Sequence, residues 1–396
     1  MDKDELWIDD DDRYSRLRLI AWWDQRKLAE AKILVVGAGA LGNEVLKNLA
    51  LLGVGQIVVV DFDQIEQSNL TRSVLFRRRD CGRSKAEVAA EALADMNPDT
   101  VVTPLSVNVL TEIGLGTFRD VDVVIGCLDN REARLWVNRC CWKVGTPWID
   151  GGIQEINGVV KVFVPPRPGA TDQDSTPHAC YECAMTEMDY RLINLRYSCP
   201  LLRNEDIQSG KVPTAPTISS MIGGLQTQEA LKLIHGLPVS AGEAVVYNGV
   251  SNQFYKTRFQ FREDCLSHET YAQPVVAPLS ARTNTVRDLF AWIARHDAAE
   301  PPFRLVLDRD LVRVLNCEQC GWSREVMRPI QLVGMTDSRC PQCEHLARPS
   351  LIHAVDSDSP LADERLSRLG VPSYDIVRVA SQQGEHVYLL AADRDL

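Results

Sequence analysis

The stretch KILVVGAGALGNEVLKNLALLGVGQIVVVDFD, residues 32–63, restricts the fold of this chain more than any other part of it. Ile33 to Val36 is continuously apolar, the pattern of a strand buried on both faces, and it runs straight into Gly37-Ala38-Gly39-Ala40-Leu41-Gly42. The segment therefore reads as strand, glycine turn, helix and second strand. Gly37, Gly39 and Gly42 allow a tight turn and let a phosphate approach the helix N-terminus. Asp61, at the end of the second strand, is placed to hold a ribose hydroxyl.

Alternation continues downstream. SKAEVAAEALADMNP reads as a helix closed by Asn97-Pro98, TVVTPLSVNV and VDVVIGCLDN as strands, and REARLWVNRCCWKVG as a helix. Residues 12–30 read as helical. Over residues 30–150 the pattern predicts a doubly wound, Rossmann-like α/β domain with a mainly parallel sheet. The segment from PPRPGATD to KVPTAPT is long, polar and punctuated by proline, which marks a functional or mobile loop. ISSMIGGLQTQEALKLIHG returns as a helix, and AVVYNG and NQFYKTRFQF read as hairpin strands. AQPVVAPLSARTNT reads as a linker. Beyond it, VRDLFAWIARH, FRLVLDRDLVRVL and HVYLLAADRD predict a smaller α+β domain.

A length of 396 residues suits two or three domains. The formal charge of −11 argues against nucleic acid or an anionic membrane as the main partner. The acidic start lacks an apolar core of the secretory kind, and no apolar run is long enough to span a bilayer. Twelve cysteines without such a signal read as thiol and metal chemistry in a cytoplasmic enzyme.

The glycine turn and Asp61 alone would equally suit a nicotinamide-dependent enzyme. DFDQIEQSNLTR and GRSKAE add Asp63, Asn69, Arg72 and Lys85. Two cations behind a phosphate turn suit triphosphate chemistry, where charge develops on phosphoryl oxygens. Asp129, ending a buried strand, is placed to hold magnesium, which favours oxygen ligands.

RYSR, GAGALG, DFDQIEQSNLTR, GRSKAE, CLDN and CYEC, in that order, resemble the ubiquitin-activating enzyme family, which includes the sulfur-carrier adenylyltransferases of molybdopterin and thiamin synthesis. The resemblance covers roughly residues 12–268. It implies that ATP binds at the glycine turn and that the C-terminal glycine carboxylate of a ubiquitin-like protein attacks the α-phosphate. Asp61 would hold the ribose, Asn69, Arg72 and Lys85 the phosphates, and Asp129 magnesium. Arg16 would reach into the partner subunit's site, which implies a homodimer. The chain departs from the family at Leu17 and Ser73, where glutamine is usual.

The cysteines divide by spacing. Cys180 and Cys183 with Cys265 and His268 make one zinc set, His268 standing where relatives carry cysteine. Cys317, Cys320, Cys340 and Cys343 make a second, with 19 residues between the pairs. Both sets read as structural, because four protein ligands leave no open position. Cys127, Cys140 and Cys141 lie in apolar segments, and Cys81 has basic neighbours. Cys199 has no partner at ligand spacing: nucleophile, spare ligand and small apolar residue are its three readings. The resemblance implies that it takes the activated protein as a thioester and passes it to a conjugating enzyme. The alternative implied by the same family is sulfur-carrier adenylation without thioester transfer. The expected division is an adenylation domain, 1–269, with a catalytic-cysteine crossover loop at about 165–217. A C-terminal domain, 270–396, follows, ubiquitin-like by analogy and carrying a zinc ribbon at 317–343.

Overall fold

Alternate residues of the first strand explain the two-faced sheet. In β1 (Lys32–Val36), Ile33 and Val35 enter one apolar core while Leu34 and Val36 enter another on the opposite face. The computed structural model describes residues 11–166, 178–198, 213–334 and 336–394, with the backbone alone at 192 and 194–198. β1 lies between β2 (Gln56–Val60) and β4 (Val123–Gly126), and β3 (Val101–Leu105) and β5 (Trp148–Gln154) extend the sheet in parallel. Three antiparallel strands complete it: β6 (Asn157–Phe163), β7 (Glu243–Asn248) and β8 (Gln253–Arg258). The eight strands run β3-β2-β1-β4-β5-β6-β7-β8.

Helices cover both faces, as a parallel sheet requires. The short α1 (Gln25–Glu30) is followed by α2 (Ala40–Leu52) and α3 (Lys85–Met96), which pack on one face. α4 (Leu115–Arg119) and α5 (Arg131–Val144) cover the other. α6 (Glu187–Ser198) leads out of the first cysteine pair, and α7 (Pro216–His235) returns to the face of α2. Helix ends follow their chemistry: Ser84 caps α3, Asn130 caps α5, and Gly145 and Gly236 close α5 and α7 in the left-handed conformation.

Three expectations need correction. Of residues 12–30, only Leu17–Leu19 (a 3-10 turn) and α1 are helical, because Asp24 caps a helix that begins at Gln25. The polar segment expected to be loop contains α6, held from outside by Arg131 Nε on Asp189 Oδ1 at 2.8 Å. The linker AQPVVAPLSARTNT contains β9 (Val275–Ala277), a short strand of the second sheet.

That smaller sheet also holds β10 (Arg304–Asn316), β11 (Ser323–Pro329), β12 (Arg348–Asp356), β13 (Ile376–Ser381) and β14 (Gly384–Leu390). Its order is β11-β10-β13-β14-β9, with β12 on the other side of β10. α8 (Val286–His296), opened by a Thr285–Asp288 capping box, buries Val286, Leu289, Phe290 and Ile293 against it.

The two sheets meet over α4 and α5. Arg309 Nε donates to Leu110 O at 2.6 Å, Nη2 donates to Ile113 O at 3.1 Å, and the guanidinium lies 4.3 Å from the centre of the Trp136 ring. Asp375 Oδ1 accepts from Leu115 N at 2.7 Å, and its other oxygen sits 3.6 Å from Arg309. Burial pushes the Asp375 carboxyl up to about 6, against the pull of Arg309. The native state thus keeps a proton that the unfolded chain, with an ordinary carboxyl near 3.8, has released. This group's contribution to stability should fall as pH rises from about 4 to about 6 and stay level above. Urea titrations across that range should show the decline in wild type and its absence in Asp375→Asn.

Candidate nucleotide site and metal clusters

The carboxyl ends of β1, β2 and β4 converge on the glycine turn. Gly37 has φ +100°, and a Cβ there would lie 2.4 Å from Cys127 O, so only glycine lets the turn press against the loop after β4. Gly42 is equally confined, since its Cβ would lie 1.9 Å from Gly37 O. Gly39 differs: as the N-cap of α2 it faces open space, with nothing within 4 Å of a built Cβ. The first turn of a 13-residue helix is thereby left uncovered, the arrangement that receives a phosphate.

Asp61 closes the turn. Its Oδ2 accepts from Ala38 N at 2.7 Å and its Oδ1 from Asp63 N at 2.8 Å. Burial pushes this carboxyl above its ordinary range, opposed chiefly by the Lys85 ammonium. Lys85, buried at the start of α3, donates from Nζ to Asp63 Oδ2 at 2.7 Å. Asn69 Oδ1 accepts from Glu66 N at 2.8 Å and shapes a 3-10 turn that ends at Arg72, whose Nη1 donates to Ser68 O at 3.0 Å. Asp129 is exposed just beyond β4, with Asn130 Nδ2 donating to its Oδ1 at 3.1 Å. An exposed carboxylate beside the phosphate turn and its cations is a chemically suitable magnesium ligand.

Gly37, Gly39, Gly42, Asp61, Asp63, Lys85 and Asp129 thus lie at the carboxyl end of the central strands, and Asn43 ties the turn to Leu75, three residues beyond Arg72. Asn43 is fully buried; its Nδ2 donates to Ala38 O at 2.7 Å and Gly39 O at 3.0 Å, and its Oδ1 accepts from Leu75 N at 2.9 Å. Sequence reasoning passed over it, although an asparagine one position after Gly42 on a buried helix face was a usable signal. Arg16 is exposed at the start of a 3-10 turn. Its neighbour Tyr14 packs on Gly53, at the opposite end of α2, about 20 Å from the glycine turn. Cys199 lies outside the described residues.

Both expected cysteine sets are assembled, each with all four ligand atoms within 4.8 Å of one another, and each could hold a metal ion. In the first, Cys180 Sγ is 3.5 Å from Cys265 Sγ, and Cys183 Sγ is 3.3 Å from His268 Nε2. His268 is stacked between Trp142 and Phe261, which fixes its ring plane. Glu182, between the two cysteines, is a second residue that spacing did not reveal. It is buried and takes Arg139 Nη2 at 2.6 Å, Tyr190 Oη at 2.7 Å and the Ser267 hydroxyl. Burial would raise its carboxyl, but the Arg139 and Ser267 hydrogen bonds prevail and hold it below the ordinary range. Ser267 comes from the Cys265/His268 turn, so this contact joins the two halves of the cluster to α5.

In the second cluster Cys317 Sγ lies 3.4 Å from Cys343 Sγ, and Cys320 Sγ lies 3.4 Å from Cys340 Sγ. The two turns match. Cys317 N donates to Trp322 O and Cys340 N to His345 O, and the residue after each pair, Gly321 or Glu344, has positive φ. Three thiolates with an imidazole, or four thiolates, form the donor set that tetrahedral zinc prefers.

A nucleotide-binding, doubly wound α/β protein is what this fold and site define. The ThiF family model matches residues 12–267, and the chain belongs to that family. It is an ATP-dependent adenylyltransferase of the ThiF type. The sulfur carrier protein ThiS adenylyltransferase of Escherichia coli K12 is 31% identical over 256 residues, which is 64% of this chain and 93% of that protein. Ubiquitin-like modifier-activating enzyme 5 of Arabidopsis thaliana is 28% identical over 265 residues, covering 61% of this chain and 56% of the relative. Among solved structures, E. coli MccB with ATP aligns with a TM-score of 0.51 at 25% identity, over 65% of this chain and 74% of that one. Among the described residues no helix is long and apolar enough to cross a membrane.

Proposed function

We propose that this protein activates the C-terminal carboxylate of a ubiquitin-like protein, holds it as a thioester on Cys199, and passes it to a conjugating enzyme. The observation that carries the first step is the convergence of the glycine turn, Lys85 and Asp129 at the carboxyl end of the central strands, beside an open helix N-terminus. A terminal glycine carboxylate oxygen attacks the α-phosphorus of ATP, and the bond to the β-phosphate oxygen breaks. Acyl-adenylate and pyrophosphate are the products. Lys85 and Arg72 offset the charge that develops on the phosphate oxygens, Asn69 donates to them, and Asp61 holds the ribose. Magnesium, held by Asp129, would supply further charge neutralisation there.

In the second step the Cys199 thiolate attacks the acyl carbon and AMP leaves. Its support is α6, which runs from the first metal cluster to residue 198 and is fixed at its base by Arg131–Asp189 and Tyr190–Glu182. The second sheet, beginning near residue 270, serves as the docking platform for the conjugating enzyme. Zinc fills both clusters in a structural role. The packing of Tyr14, two residues before Arg16, at the far end of α2 supports a homodimer in which Arg16 serves the other subunit's site. Residues 1–269 act as the adenylating unit and 270–396 as the docking unit.

The test is a charging assay with ATP, magnesium and a candidate ubiquitin-like protein on a non-reducing gel. A reductant-sensitive adduct is expected in wild type. In Cys199→Ala the adduct should vanish, with pyrophosphate exchange retained. A second reading, sulfur-carrier adenylation without a thioester, is favoured by the near-complete coverage of the ThiS adenylyltransferase. Exchange without any adduct in wild type would select it.

A further inference from the structure

Beneath the turn that carries Asp129 lies a buried ion cluster to which the proposed chemistry assigns no part. Asp150, in β5, is fully buried. Arg134 Nε lies 2.9 Å from its Oδ1, and Lys161 Nζ, on the neighbouring strand, lies 3.0 Å from its Oδ2. The same guanidinium donates from Nη2 to Leu128 O at 2.5 Å and to Gly151 O at 3.1 Å. From below, Gln226 Nε2 donates to Gly126 O at 2.9 Å. The end of β4 and the loop after it are thus held at one carbonyl each, Gly126 O and Leu128 O, while Cys127 O bears on Gly37 of the phosphate turn.

We propose that Arg134 is a positioning residue for Asp129: locked by the Asp150–Lys161 pair, it fixes Leu128 so that the next carboxylate projects at the nucleotide. The inference rests on Asp129 being the magnesium ligand. Arg134 acts through the backbone, and its charge alone would not suffice. A lysine could pair with Asp150, but it lacks the planar fork that reaches a carboxylate and two carbonyls together. Released from Arg134, Leu128 would carry Asp129 away from the phosphate turn and change the contact of Cys127 O with Gly37.

The measurement is Mn²⁺ affinity in the presence of a non-hydrolysable ATP analogue, read by electron paramagnetic resonance, alongside thermal unfolding. Arg134→Lys should weaken Mn²⁺ binding about tenfold or more, as loss of a supporting partner does at metal sites, with melting close to wild type. Asp129→Ala should weaken it further. Should Arg134→Lys fail to fold, Asp150→Asn, which keeps the shape and removes the locking charge, is read by the same criterion. Wild-type Mn²⁺ affinity in the folded variant, with Asp129→Ala impaired, overturns the positioning role. Unchanged affinity in Asp129→Ala removes the magnesium assignment itself, and the positioning role with it.

Discussion

Gly42→Ala should reduce ATP–pyrophosphate exchange at least about a hundredfold while leaving a folded protein. The added methyl would lie 1.9 Å from Gly37 O and 2.8 Å from Gly37 C, far inside any real contact. Gly37 cannot retreat, because its φ of +100° already presses it onto Cys127 O. The first turn of α2 must therefore move away by about 1 Å, enough in a positioned site for a loss of that size. Overpacking of this kind costs about 1–3 kcal/mol, which the large cores around α2 should absorb. Gly39→Ala is the control: its Cβ meets nothing in the protein, so melting should be unchanged and only nucleotide affinity should fall. Exchange at the wild-type rate in Gly42→Ala would show that nucleotide does not use this turn.

Metal removal should be large in effect and should occur in two phases. About two zinc ions per chain are expected from two four-ligand clusters. A chelator should take the Cys317/Cys320/Cys340/Cys343 ion first, because Cys320 is exposed and Cys343 half-buried, whereas Cys180, Cys183 and Cys265 are all buried. Among the described residues, the apolar cluster around the outer site has five buried members, Val312, Leu315, Cys317, Cys340 and Ala347, two of them ligands, with six partly buried residues packed on them. So little core cannot hold the ribbon without metal, and local unfolding near residues 317–347 should accompany the first phase. The inner site shares its core with Trp142, Trp148 and Phe163, so its loss should lower the melting of the nucleotide-binding sheet. Metal analysis with a chromophoric chelator, followed against circular dichroism, reads both phases. Simultaneous release would contradict the difference in burial.

The β1–turn–α2–β2 unit was legible because apolar run, glycines and acid all point to one local structure. β5 and β6 were not. Gly151 and Gly152 interrupt the apolar pattern, and the buried Asp150 is tolerable only because Arg134 and Lys161 meet it from other elements. Likewise β9 is three residues long and pairs with β14, more than a hundred residues later, so nothing local announces it. α6 is polar and stands on contacts with Arg131 and Glu182. Within the site, ligand types and spacing identified both sets of side chains that the fold brings together and that could hold a metal ion. The residues that hold other residues, Asn43, Glu182 and Arg134, were missed because each also has a partner brought in from another element: Leu75 for Asn43, Arg139 and Ser267 for Glu182, and Asp150 for Arg134.

α5, about 21 Å long, begins beside Asp129 and ends under the second sheet. Along that length it is bonded in turn to the strand ends through Arg134, to the inner metal cluster through Arg139 and to the second sheet through Lys143, whose Nζ donates to Asp308 at 2.7 Å. A helix held at both ends and in the middle has no independent opening. Beyond its first turn its amides should be among the slowest to exchange with deuterium, and stripping a metal from the inner cluster should be felt as faster exchange at residues 127–130.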